Sequence, residues 1–160
     1  MSPTVHETFM HRAIEDCRAA FHGNEGGPFG ACIVKDGRVL AVAHNTVMKD
    51  RDPTAHAEIN AIRQASRTLG TYDLSGCEIY STTEPCLMCF AAIHWARIGR
   101  IYMGTTIEEA VTLGFSELPV HNTQIKQLAG LSIDLVENVL VEECRRLLAD
   151  WQTLTDALTY

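Results

Sequence analysis

The run Cys77-Glu78-Ile79-Tyr80-Ser81-Thr82-Thr83-Glu84-Pro85-Cys86-Leu87-Met88-Cys89 decides how this chain is read. Its first part carries Ile79, Tyr80 and Thr82, residue types that favour a pleated strand, and reads as a strand over Cys77 to Thr82. Pro85 suits the first position of a helix, because the N–H it lacks is one that a helix start leaves unpaired anyway. The helix is predicted to run to about Arg97, before Gly99, and Arg100 to Gly104 reads as the next strand. Strand, helix and strand in immediate succession point to helices packed on a sheet.

Outward from that segment the alternation continues. Upstream, Asp52-Pro53-Thr54 marks a turn, with Thr54 as N-cap of a helix from Ala55 to about Leu69 that Gly70 ends. Before it, Phe29 to Lys35 and Arg38 to His44 read as two strands around Asp36-Gly37, the dipeptide that favours a tight hairpin. Thr4-Val5-His6-Glu7 has the form of a capping box, followed by Val5, Phe9, Ala13, Cys17 and Phe21 at helical spacing. Downstream, Ile107 to Leu113 is a short helix and Ser132 to Val136 a strand. Val141, Cys144, Leu148, Trp151 and Leu154 trace one face of a final helix.

At 160 residues, with 46% apolar and 21% charged residues, the chain is sized and composed as one folded domain over residues 1–160. Its 13 Lys plus Arg against 20 Asp plus Glu leave a net charge of −7, which opposes a phosphate backbone and makes nucleic acid an unfavoured partner. No window approaches the ~20 apolar residues of a membrane span. The opening Met1 to Glu7 lacks the basic, apolar, small-residue order of a signal peptide, so the expected compartment is the cytoplasm. Six cysteines in such a protein read as metal ligands and core fillers rather than disulfides, and Cys17, Cys32, Cys77 and Cys144 fall in the second group. His44, His94 and His121 are read as surface or packing residues.

Cys86 and Cys89, three apart at a helix start, place both sulfurs on one face, where unpaired N–H groups and the helix dipole favour thiolates. A Cys-x-x-Cys of this kind also fits a redox motif or two core cysteines. His56, at the start of another helix, completes a set of one His and two Cys for Zn²⁺ and leaves the fourth position open, as in catalytic rather than structural zinc sites. Glu58, two residues on, could reach a water at that position without ligating the metal. Zinc would lower the pKa of water toward ~7 and the carboxylate would move protons, which together make an engine for hydrolysis. A non-enzymatic zinc-stabilised module is the alternative, and it would have no use for Glu58.

His56-Ala57-Glu58 followed by Pro85-Cys86-Leu87-Met88-Cys89 is recognised, rather than derived, as the signature of zinc-dependent base deaminases. With Pro28-Phe29-Gly30-Ala31, Asn45, Asp52 to Glu58 and Thr83 to Cys86, the chain resembles the cytidine deaminase-like superfamily from about Phe9 to Trp151. The resemblance implies a three-layer α/β/α sandwich around a mixed five-stranded sheet, with one zinc per chain held between two helix N-termini and a homodimeric assembly. It also implies that Glu58 takes a proton from water, passes it to a ring nitrogen of the substrate and helps ammonia to leave.

Three branches compete on resemblance. Gly26 to Gly30, Ala91 to Arg97, Gly114 to Glu117 and Tyr160 are similar to bacterial guanine deaminases, whose substrate is a free purine base. In that branch Asn45 and Glu117 would hold the guanine edge, Ala57, Phe29 and Trp95 would contact the ring, and Tyr160 would close the pocket. Asp52 to Ile59 and the stretch from Ile133 to Trp151 are at least as similar to bacterial tRNA adenosine deaminases. Those enzymes need cations for an anticodon loop, whereas this chain has no Lys or Arg after Arg146. Fungal-type cytosine deaminases are the third branch. The expected activity is guanine to xanthine with release of ammonia.

Overall fold

The computed structural model describes residues 3–154 and 157–160, so Met1-Ser2 and the tail residues Thr155-Asp156 lie outside the described residues. The elements are α1 (Val5–Ala19), β1 (Gly30–Lys35), β2 (Arg38–His44), α2 (Val47–Asp50), α3 (Ala57–Leu69), β3 (Cys77–Thr83), α4 (Leu87–Trp95), β4 (Arg100–Thr105), α5 (Ile107–Thr112), α6 (Asn122–Ala129), β5 (Asp134–Val136) and α7 (Val141–Gln152). The strands form one sheet in the order β2-β1-β3-β4-β5. β1 runs antiparallel to both β2 and β3, while β3, β4 and β5 run parallel, so the sheet is mixed.

Period-two alternation along the strands divides the apolar residues between two faces. Ile33, Ile79, Ile101 and Met103 pack with Ala57, Ala61 and Ala65 of α3 and Phe90 and Ile93 of α4. Their neighbours Cys32, Val34, Tyr80 and Tyr102 pack on the other face with Met10, Ala13 and Cys17 of α1 and Cys144 and Leu147 of α7. The result is the expected three-layer α/β/α sandwich. Cys17, Cys32, Cys77 and Cys144 are buried, and all six cysteines are free. Among the described residues no helix is long and apolar enough to cross a membrane.

The hairpin forms where Asp36-Gly37 predicts it, with both residues in the left-handed region (φ 49° and 73°) that a tight turn matching the strand twist requires. The Thr4 capping box is present, with the Thr4 hydroxyl accepting from Glu7 N at 3.2 Å. Two helix starts differ from the reading. Thr54 is not an N-cap: its amide and hydroxyl both donate to Asp52 Oδ1 (2.8 and 2.7 Å), closing a local turn that moves the cap of α3 to His56. Pro85 precedes α4 instead of opening it, and Cys86 takes the N-cap position. The strand expected from Ser132 begins at Asp134. α2 and α6 have no counterpart in the sequence reading.

Candidate metal centre and its pocket

The two shifted helix starts build the centre. His56 caps α3 and Cys86 caps α4, both in extended conformation (φ/ψ −68°/158° and −64°/170°), so each side chain projects from a helix N-terminus where unpaired N–H groups favour anions. Cys89 follows in the first turn of α4. His56 Nδ1 lies 3.6 Å from the sulfur of Cys86 and 3.6 Å from that of Cys89, and the three potential ligand atoms lie within 4.8 Å of one another. A tetrahedral zinc with bonds of about 2.05 Å to nitrogen and about 2.3 Å to sulfur separates those atoms by about 3.6 Å. The donor set and its spacing therefore fit zinc. His56 and Cys86 are half-buried and Cys89 is buried, which leaves the accessible side of the triangle facing a cavity.

Charge in the centre is arranged for a cation. Cys86 accepts from Cys89 and from His56, and its thiol is held down at about 4 against the opposing effect of burial. Cys89, which shares its proton with Cys86 and is buried, has its thiol pushed up. Ligation to zinc would need both sulfurs as thiolates, so metal binding would release protons.

The cavity is lined by Phe29, His56, Glu58, Thr83, Glu84, Cys86, Ile107, Ala110 and Glu117, and its inner space is about 20 Å³. That is room for about one water. A much larger open groove of about 480 Å³, bordered by Asp16, His44, Asn60, Arg63 and Arg67, contains none of the three ligand residues. Chemistry, not size, marks the site. Glu58, the second residue of α3, is 6% exposed, and Ser81 Oγ donates to its Oε1 at 2.6 Å. Burial, reinforced by the charge of Cys86, pushes the Glu58 carboxyl up, so it takes a proton more readily than an ordinary glutamate. Glu117 is shifted the same way for the same reasons.

At the pocket rim an aromatic and polar cluster ties distant segments together. Phe29 meets Phe115 edge-on (centroids 4.9 Å apart), and Phe115 packs edge-on against Tyr160 (5.4 Å). The Tyr160 hydroxyl donates to Asn45 Oδ1 (2.6 Å) and accepts from Gly27 N (3.2 Å), while Ser116 N donates to the Tyr160 carbonyl (3.0 Å). Asn45 is 1% exposed, and its Nδ2 has no partner among the described residues. Gly26 has to be glycine here, since a Cβ would collide with Asn45 Oδ1 and backbone.

The structure thus gathers His56, Cys86, Cys89, Glu58, Phe29 and Glu117 around one cavity, with Asn45 and Tyr160 bonded to each other nearby. Ala57 is buried in the core at the start of α3. Trp95 stands apart: it is 77% exposed at the far end of α4, edge-on to His94. Sequence reasoning missed the bracing residues. The Glu84 carboxylate accepts from Asn122 N (2.7 Å) and pairs with His121 Nδ1 (3.1 Å), and Asn122 Nδ2 donates to Pro85 O (2.7 Å), so the start of α6 grips the segment carrying Cys86. His121, read as a surface residue, also pairs with Glu108 of α5 at 2.6 Å. Gln124, three residues after His121, bonding back to the His121 amide at 2.8 Å is the sequence signal that could have found this helix.

Comparison with known proteins agrees with this geometry. Residues 3–105 match the family model described as the cytidine and deoxycytidylate deaminase zinc-binding region, and the chain belongs to that family. It is 39% identical over 137 residues to a guanine deaminase of Bacillus subtilis (strain 168), covering 86% of this chain and 88% of that one. It is 46% identical over 95 residues to a tRNA-specific adenosine deaminase of Aquifex aeolicus (strain VF5), covering 59% and 62%. A solved structure of the guanine deaminase from Nitrosomonas europaea superposes with a TM-score of 0.84 at 29% identity, covering 92% of this chain and 85% of that one. The fold, the His-Cys-Cys centre and these relatives define a zinc-dependent hydrolytic deaminase.

Proposed function

We propose that the protein deaminates guanine to xanthine, consuming one water and releasing one ammonia. The observation that carries this reading is Asn45, whose buried Nδ2 has no partner among the described residues and whose backbone N–H donates to the carbonyl of Phe29, a residue that lines the cavity together with Glu117. A buried unpaired donor is costly, and a purine acceptor would satisfy it. Glu117 would accept from the purine's N–H groups. The similarity to the B. subtilis guanine deaminase extends over most of both chains, and residues 147–160 carry no Lys or Arg to hold phosphates. The higher identity to the tRNA-specific enzyme over 95 residues supports one other reading, adenosine deamination in tRNA.

In this mechanism His56, Cys86 and Cys89 would hold zinc, which would polarise a water and bring its pKa toward ~7. Glu58 Oε takes a proton from that water and delivers it to a ring nitrogen. The water oxygen bonds to C2, and Glu58 then passes the second proton, from the new hydroxyl, to the amino group, so that the C–N bond breaks, ammonia leaves and the C2–O bond becomes a carbonyl of xanthine. Phe29 packs on the ring, and Ala57 shapes the wall behind it. Tyr160, packed on Phe115 and hydrogen-bonded to Asn45, would close over the ring and exclude water from it.

We read residues 1–160 as one catalytic domain that assembles as a homodimer. α4 is apolar apart from His94, and its Leu87, Ala91 and Trp95 are exposed at spacings of four, a face that a second copy would cover. Trp95 does not line its own chain's pocket, so it contacts a ring only across such a dimer. Ammonia release from guanine, guanosine, adenine, cytosine, cytidine and an anticodon stem-loop tests the reading. Guanine should be the preferred substrate, and efficient conversion of the stem-loop with none of guanine would replace it with the tRNA alternative.

A further inference from the structure

The face of the sheet under α3 and α4 is apolar over most of its area, and its buried hydroxyls, those of Ser81, Thr83 and Thr105, gather at one end of β3 and β4, where the two threonine hydroxyls lie 2.7 Å apart. Along β3, Ile79 and Ser81 point to that face, and Ser81 is flanked in register by Ala31 of β1 and Met103 of β4. Ser81 is 1% exposed. A hydroxyl buried among such neighbours costs free energy unless it is hydrogen-bonded, and a small apolar side chain would fit the position at no such cost. Its Oγ lies 2.6 Å from Glu58 Oε1 and 2.7 Å from the carbonyl of Thr83. One hydroxyl proton thus has two acceptors within reach.

We propose that Ser81 is a positioning residue for Glu58, holding the carboxyl at the cavity both before and after it takes up the proton of water. The inference rests on the reading of Glu58 as the proton carrier. While Glu58 is a carboxylate, the Ser81 proton points to Oε1. When Glu58 carries the transferred proton on its other oxygen, Oε2, the Ser81 hydroxyl still donates to Oε1, so the contact does not compete with delivery of that proton. No proton is gained or lost by Ser81, and the Glu58–Ser81 hydrogen bond persists through the transfer. The glutamate has three rotatable side-chain bonds, and this contact pins their far end to a rigid central strand.

The test uses the zinc-loaded full chain with guanine, comparing Ser81→Ala, Ser81→Thr, Glu58→Ala and the Ser81→Ala/Glu58→Ala double variant. Ser81→Ala should lower kcat about 10- to 100-fold, the size expected for losing a hydrogen bond to a charged group. KM should stay within about threefold and zinc at one per chain. Ser81→Thr, which keeps the hydroxyl, should recover most of the rate. In the Glu58→Ala background, Ser81→Ala should change the residual rate less than about twofold, because the group it positions is gone. A kcat for Ser81→Ala within twofold of the parent, or an equal proportional loss in the Glu58→Ala background, would overturn the proposal while leaving Glu58's role intact. Near-normal turnover by Glu58→Gln would instead remove Glu58 from the mechanism, and the proposal with it.

Discussion

The proposed proton-carrying role asks Glu58 to remain buried and yet change charge, and its surroundings suit both demands. Burial raises its proton affinity, and the Ser81 hydroxyl supplies a bond in place of water. Glu58→Gln keeps shape and polarity but cannot carry a proton, so it should bind zinc normally and lose at least ~10²-fold in rate, the low end of a general acid–base contribution. Metal analysis beside steady-state kinetics checks both halves. Cys86→Ala should instead lose the metal, because one His and one Cys cannot close the set. His56, Glu58, Cys86 and Cys89 were legible because short-range spacing brings His56 to Glu58 and Cys86 to Cys89, and helix starts aim them. Ser81 and Asn122 were not, since each acts on a residue 23 or 37 positions away and neither carries a motif of its own.

At the scale of elements, local chemistry was legible where the chain caps itself and misleading where a turn competes. Thr4 and Asp36-Gly37 behave as read, whereas Asp52 captures Thr54 and shifts the start of α3 by two residues, which puts His56 at its cap. α6 escaped notice because Leu128, one of its few large apolar residues, is 92% exposed and leaves no clear apolar stripe. Its work is done by polar contacts. Asn122→Ala should lower stability by ~1–3 kcal/mol through loss of the Pro85 contact and weaken zinc binding, measurable by thermal melts with and without metal.

A second polar clasp joins the end of β2 to α1 and the glycine-rich loop: His44 Nδ1 meets Asp16 and Nε2 meets Glu25, both at 2.7 Å. The Asp16 contact and that of Glu25 raise the His44 pKa above 6.5, against the effect of burial. Raised affinity in the folded state means that this stabilisation is full below about pH 6.5 and fades as pH rises through the higher folded value. The melting temperature gap between the parent and His44→Gln should therefore be larger at pH 5.5 than at pH 8.5. An unchanged or reversed gap would count against the clasp.

Across the whole molecule, the alternation of strands and helices was readable, and so was the placement of a metal between two helix starts. The hairpin of β1 with β2 was readable from Asp36-Gly37, but the pairing of β1 with β3 was not, because strand order depends on which faces α3 and α1 cover rather than on any one strand's composition. The cluster of Asn45, Phe115 and Tyr160 joins segments far apart in the chain. Deleting Tyr160 should lower turnover while leaving zinc content at one per chain, since its contacts are with Asn45, Gly27, Ser116 and Phe115 and not with the metal ligands. The most direct measurement is xanthine formation from guanine by the full chain, stripped of metal with a chelator and then restored with one equivalent of zinc. Xanthine and ammonia in equal amounts, lost on stripping and regained with zinc, are the predicted result. Undiminished turnover by the stripped protein, or no xanthine from the zinc-restored protein, would contradict it.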